Sequence, residues 1–432
     1  MTPLLVGLLA CTDPPSVVVV GGGLAGLAAA AEAGRGGAAV TLLEAAPEVG
    51  GAARWAAGIT WIPTAEEAEE WAAAAGEASA ARDRYIARVV PDVVEGLRLT
   101  FSPVPDPSGE GARLVAPAGG GPAVVGALAA RAAAAGVHVR TGCRVDGLSR
   151  DADGWRVETR TCGEVEADRV VIATGGFAGD IEESRQRLDL GGGILLRSAP
   201  RHADGGGIVL ATAAGAAAAR NPLAVIYAHA VPDPRDAKAA LMVTQLPRDA
   251  VVVDTDGGRQ DSLLAVRGEA GRALLDLPGQ RAWLVGTAEG LGQQRAMPLD
   301  GPPVALSAVA RAHGFMAPDL STLSAELAMR GDALSRYAFE PGAVPAPAAP
   351  LPPRGPYIAV PLHPTPAKSL GGVDADLDGR ALDAAGAPVP GLFVAGELMG
   401  FGEPYGAAPR DSTMVAGAVL SGQAAGRAAG ER

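Results

Sequence analysis

Three glycines and one carboxylate stand at the spacing needed to bind a diphosphate and a ribose. In Gly21-Gly22-Gly23-Leu24-Ala25-Gly26, the first glycine of G-x-G-x-x-G permits a tight turn and the second lets a pyrophosphate approach the backbone. The third, Gly26, lets a helix pack closely on a strand, and the phosphates then lie on the helix N-terminus. Glu44 comes 18 residues after Gly26, just before Ala45, where a carboxylate can accept both hydroxyls of an adenosine ribose. The glycines alone prove little, because 60 Gly in 432 residues supply about one such pattern by chance. The flanking elements decide it. Val17–Val20 is a β-branched run suited to a strand buried on both faces, Leu24–Ala33 reads as a helix, and Val40–Leu43 as the next strand. A dinucleotide site is expected here.

Further glycine-bearing strand ends point to a long, extended dinucleotide. Gly50-Gly51-Ala52 follows Glu44 closely, where nicotinamide-binding folds usually continue into an ordinary βα unit. The apolar strand Arg169–Ala173 runs into Thr174-Gly175-Gly176-Phe177, and Gly391–Val394 runs into Ala395-Gly396-Glu397. The GGGLAGL start with its acid and GG pair, the ATGGF segment and the PGLFVAGE segment together resemble one flavoprotein family. Its members include fumarate reductases, succinate dehydrogenases, L-aspartate oxidase and 3-ketosteroid dehydrogenases. The resemblance covers nearly the whole chain from Ser16 onward. It implies an α/β fold, with a Rossmann-like FAD-binding domain and an inserted α+β capping domain. The implied FAD contacts are Gly21, Gly23, Leu24, Ala25, Gly26, Glu44, Ala45, Gly50, Gly51 and Ala52, then Val145 near the adenine. Ala173, Thr174, Gly175, Gly396, Glu397, Ser412 and Thr413 complete the set. No histidine stands in a serine- or alanine-rich motif of the covalent type, so FAD is expected to be held non-covalently.

Flavin chemistry at a carbon–carbon bond needs a hydride path, a proton donor or acceptor, and a holder for negative charge on the activating group. The resemblance implies candidates for each. His229 matches the family's first substrate histidine, although Ala230-Val231 replaces the usual Pro-Thr. Thr244-Gln245-Leu246-Pro247-Arg248 matches a T-E-x-x-R segment with Gln245 in place of the glutamate. Arg267 falls at the arginine proton donor, with Arg248 as the next relay member. His363 precedes Gly371-Gly372 as the second substrate histidine does, across a longer gap, and Arg410 lies within one residue of the arginine that clamps a carboxylate. Tyr405, in the glycine-rich turn GFGEPYG, matches the ketone-polarising tyrosine of the steroid branch, and Tyr227 is a further acid candidate on that branch. These residues imply addition or removal of two hydrogens beside a carboxylate or carbonyl. The alternatives are a ketone dehydrogenase or secondary-metabolite desaturase using Tyr405, and a flavin-binding protein without such chemistry.

Composition narrows the partners. The net charge of −12 and pI of about 5.0 argue against nucleic acid or an anionic membrane, while leaving an anionic small-molecule substrate open. No haem motif, iron–sulfur cysteine set or second nucleotide fingerprint occurs, so an external electron donor or acceptor is expected. Cys11, Cys143 and Cys162 form no CxxC and no evident disulfide framework, which points to a reducing cytoplasm. No metal site is expected. MTPLLVGLLAC resembles the end of a lipoprotein signal but lacks a basic region and is too short to span a membrane.

The elements that must position these residues fall in order along the chain. Residues 1–15 read as an N-terminal extension, 16–222 as the first part of the FAD-binding domain, 223–363 as the cap, and 364–432 as the second part. Within the first part, Ala123–Ala135 reads as a helix, with strands at Val137–Thr141 and Val145–Leu148 and a hairpin around Cys162-Gly163. In the cap, short strands are followed by helices at Val304–His313 and Leu320–Arg330. The Pro-rich run Pro341–Pro356 reads as a stiff connection, followed by a short strand at Tyr357–Pro361.

Overall fold

The computed structural model describes residues 14–74, 80–105, 113–219, 223–243, 250–256, 258–264, 268–329, 354–370, 372–399 and 412–431. Four consecutive valines make Ser16–Val20 a strand buried on both faces, as parallel strands are. It pairs in parallel with Ala39–Glu44 on one side and Arg169–Ile172 on the other. His138–Thr141 extends the sheet beyond Ala39–Glu44, and Pro388–Val394 extends it beyond Arg169–Ile172. Arg380–Leu382 closes that edge in antiparallel. The glycine turn, the ATGG segment and the VAGE segment therefore leave neighbouring strands at the same end of one sheet.

Small residues set how tightly the helices cover this sheet. The helix Leu24–Arg35 buries Ala28, Ala29, Ala30 and Ala33. The last helix, Met414–Gly430, packs along it through Gly422, Gly426 and Gly430, spaced one turn apart. A Cβ on these glycines would strike the backbone of Ala25, Ala29 and Ala33 respectively. The two helices touch backbone to backbone.

A second sheet is built from residues 223–370. Its central pair is Leu223–Asp233 against Tyr357–Leu370, running antiparallel. Tyr357–Leu370 is a single 14-residue strand rather than the short strand expected at 357–361, and it crosses residue 363. Beyond the expected strand lie Pro364 and Pro366, and there the pairing with Leu223–Asp233 shifts register twice, irregularities that accommodate residues without an N–H. The helix expected from Val304 begins at Leu306, because Val304–Ala305 pairs with Arg295–Pro298 as a strand.

The cysteine expectation needs correction. Cys143 and Cys162 form a disulfide with a Cα–Cα distance of 5.5 Å, joining the loop after His138–Thr141 to the turn of the hairpin Trp155–Thr159 and Gly163–Ala167. Nineteen residues separate them, a spacing with no local signature. The argument from cysteines for a reducing compartment is thereby removed. No helix among the described residues is long and apolar enough to cross a membrane.

Candidate functional site

The glycine turn is left open by the described residues. Gly21 has φ of 104°, and its N–H donates to the Leu43 carbonyl at 2.7 Å. A Cβ on Gly26 would collide with the Gly21 carbonyl, so that glycine exists for packing. A Cβ on Gly23 would meet nothing within 4 Å. Gly23 is also the N-cap of the helix opening with Leu24 and Ala25, and no side chain caps it. The first N–H groups of that helix thus face open space, the condition for binding phosphate.

The other expected cofactor residues surround this opening. Gly50 (φ 125°) donates its N–H to the Gly22 carbonyl at 2.8 Å, and Gly51 and Ala52 begin the short turn Gly51–Trp55 beside Gly23. Glu44 is buried at its strand end, adjoining Ala45. Its Oε2 accepts the Gly22 N–H at 2.6 Å and its Oε1 accepts the Ala46 N–H at 2.7 Å. Val145 is buried at the start of Val145–Arg150, and Cys143 N–H donates to the Glu44 carbonyl at 2.8 Å. Ala173 continues the Arg169–Ile172 strand by donating to the Val20 carbonyl. After it, Thr174 Oγ1 is buried with no hydrogen-bond partner among the described residues, and Gly175 takes φ of 82°, where a Cβ would be in ordinary contact with Ala203. Ser412 (φ 67°) accepts the Trp61 N–H, and Thr413 is buried at the N-cap of the last helix.

Ser369 ties two of these strand ends together, and sequence reasoning did not single it out. Its N–H and hydroxyl donate to Glu397 Oε1 at 2.7 and 2.8 Å, and its Oγ accepts the Phe177 N–H at 3.1 Å. Burial pushes the Glu397 carboxyl above its usual range, and the Ser369 hydrogen bonds and the Lys368 charge act against that. Gly396, with φ of 72°, donates to Ser421 Oγ at 3.0 Å and starts the turn that carries Glu397.

The two expected substrate histidines are neighbours in the sheet but do not share a face. Ala230 pairs with His363, so those two side chains point the same way, and His229 projects from the opposite face. His229 Nε2–H donates to the Leu263 carbonyl; burial lowers its pKa and keeps it neutral. His363 lines an open cavity of about 500 Å³ with Gly192, Gly193, Thr255 and Arg281. Its Nδ1 is buried without a hydrogen-bond partner among the described residues. Burial, aided by the charges of Arg281 and His313, pushes its pKa down to about 4. Arg281 carried no sequence signal. Arg248, Arg267, Tyr405 and Arg410 lie outside the described residues. No cluster of three or more potential metal ligands occurs among the described residues.

The pattern of the FAD binding domain family matches residues 16–409. The chain belongs to that family. The cradle fits its cofactor, since the space beside Gly23 is open among the described residues. A KsdD-like steroid dehydrogenase of Mycobacterium tuberculosis is 48% identical over 82 residues, which cover 18% of this chain and 14% of that protein. The match therefore spans about one-seventh of that relative's length. A protein of Shewanella frigidimarina named probable fumarate reductase Ifc3 is 26% identical over 427 residues, covering 90% of this chain and 70% of its own length. Among solved structures, the 3-ketosteroid Δ1-dehydrogenase of Sterolibacterium denitrificans superposes with a TM-score of 0.74 at 19% identity, over 97% of this chain and all of that one. That likeness is one of fold.

With FAD as cofactor, each element of the cradle has a chemical assignment. Gly21–Gly26 and the helix N-terminus would hold the diphosphate, and Glu44 with Val145 the adenosine. FAD supplies two-electron transfer when bound. The strand ends at Gly175 and Gly396 meet the second sheet through Ser369, placing that sheet against the far end of the cradle.

Proposed function

We propose that this flavoprotein is an oxidoreductase that adds or removes two hydrogens across a carbon–carbon bond next to a carboxylate or carbonyl. The observation that carries this reading is the junction at Ser369. There, the two glycine-bearing strand ends meet a strand of the second sheet that also bears Lys368 and His363. FAD would supply the hydride chemistry at one carbon, and a protein group would exchange a proton with its neighbour. By resemblance that group is Arg267, re-protonated through Arg248, while Arg410 holds a carboxylate. An arginine can serve despite its high pKa if it gives its proton only as the carbanion develops.

A second reading, a dehydrogenase acting on a ketone, is favoured by one feature. The sheet stands between His229 and His363, so these two do not form one clamp on a dicarboxylate. Tyr405 would then polarise the ketone. Anaerobic photoreduction of the purified protein, followed by enoic acids such as fumarate and enones such as 4-androstene-3,17-dione, separates the readings by which class reoxidises the flavin. If neither class does, the protein binds flavin without carbon–carbon chemistry. Arg267→Ala is expected to keep FAD and lose about 10²–10⁴-fold in turnover. Normal turnover in that variant, with Tyr405→Phe inactive, establishes the ketone reading instead.

A further inference from the structure

The proposed reaction develops negative charge on the oxygen that activates the double bond, and a donor must meet it. Lys368 Nζ lies 2.9 Å from Tyr227 Oη across the central strand pair of the second sheet. An ammonium has only hydrogens to offer, so Lys368 donates and the phenolic oxygen accepts. The hydroxyl hydrogen of Tyr227 is then directed away from Lys368 and available to another acceptor. The ammonium also stands 5.5 Å from the centre of the Tyr227 ring, which it holds in place.

The position of this pair matters as much as its geometry. Tyr227 packs with Val225 on the core of the FAD-binding sheet, against the cluster that includes Met414 and Val415 of the last helix. Lys368 immediately precedes Ser369, which bonds Glu397 and the Phe177 N–H, and its charge is felt by the Glu397 carboxyl. The pair thus stands on the side of the second sheet that meets the cradle. His363, five residues from Lys368 along the strand, is roughly 16 Å away at about 3.3 Å per residue.

We infer that the Tyr227 hydroxyl donates to the activating oxygen of the substrate, a carbonyl or carboxylate conjugated to the reacting bond, with Lys368 as the positioning residue that orients it. The inference rests on the proposed function above. No bond to Tyr227 or Lys368 forms or breaks; the charge developing on the substrate oxygen is met by a phenol whose own oxygen is already hydrogen-bonded to a cation. A purely structural Lys368 would brace the strand pair and leave the flavin unaffected.

The test uses the holoprotein and its Lys368→Met, Lys368→Arg and Tyr227→Phe variants, with FAD content and near-UV circular dichroism confirming that each is folded. The first readout is the two-electron potential of the bound flavin, measured by dye equilibration. Lys368→Met should lower the reduction equilibrium at least tenfold, equivalent to about 30 mV, and Lys368→Arg should restore it. Equal potentials in wild type and Lys368→Met overturn the placement, whatever the substrate proves to be. The second readout is reoxidation kinetics with the enone or enoic acid that reacts. Tyr227→Phe and Lys368→Met should each lower kcat by roughly 10²-fold, the usual effect of removing one oxyanion donor, and the double variant should be no worse. Additive losses, or a change in KM alone, overturn the pairing. If no acceptor reoxidises wild type, the proposed function fails while the potential still decides where Lys368 lies.

Discussion

Glu44 Oε2 accepts the Gly22 N–H at 2.6 Å, so the carboxylate proposed to hold the ribose also clamps the glycine turn. With Ala46 N–H on Oε1, both oxygens already hold backbone, and their remaining lone pairs are what a ribose can use. Glu44→Ala should therefore lower stability as well as FAD affinity. Hydrogen bonds to a buried charged group contribute about 1.5–3 kcal/mol each, so apo-protein melting should fall along with the affinity measured by flavin fluorescence. An unchanged apo melting temperature would show that the clamp contributes nothing.

Gly23 and Gly26 should fail in different ways. Gly23 has φ of −72° and ψ of −174°, which valine adopts readily, and its Cβ would enter open space. Gly23→Val should fold normally and bind no FAD, with a colourless protein of wild-type circular dichroism. Gly26→Val drives a side chain into the Gly21 carbonyl and should not accumulate as folded protein.

The Cys143–Cys162 bridge closes a loop across 19 positions, for which chain-entropy reasoning gives about 3 kcal/mol. Urea unfolding with and without a phosphine reductant measures that difference. Cys162→Ser should match the reduced wild type and show no further response to the reductant. Thiol titration of the denatured, unreduced protein should find only Cys11.

His363 makes stability depend on pH in a defined direction. Its pKa falls from the ordinary 6.5 to about 4 on folding, so between these values the unfolded chain binds more protons than the fold. Its contribution is therefore complete above about pH 6.5 and is lost as pH falls toward 4. The loss amounts to about 3 kcal/mol as an order of magnitude. His229, also lowered by burial, acts in the same sense. Denaturant unfolding across this window should show a steeper decline for wild type than for His363→Gln, and equal slopes would refute this account.

The parts of this molecule that could be read in the sequence are those whose physics is local. A valine run, a glycine turn and an acid at a strand end all lie within residues 17–44 and report one another. The Ser369 junction reaches Phe177 across 192 positions through a single hydroxyl, and no periodicity announces such a bond. The extension of Tyr357–Pro361 to Leu370 was hidden for a different reason, since Pro364 and Pro366 break a strand unless a neighbouring strand accommodates them. The faces of His229 and His363 depend on pairing across two distant strands, and register is invisible along one chain.

The glycine stripe of the last helix also bears on how the chain is made. Gly422, Gly426 and Gly430 cover the alanines of the helix that follows the glycine turn. During synthesis the helix Leu24–Arg35 emerges long before Met414–Gly430, the helix that buries it. The central sheet waits likewise, because Pro388–Val394 must join Arg169–Ile172 from much further along the chain. A ribosome-bound nascent chain thus carries its glycine turn before that turn has a core to rest on. Until Met414–Gly430 emerges, the exposed alanine helix is a surface for chaperones to shield.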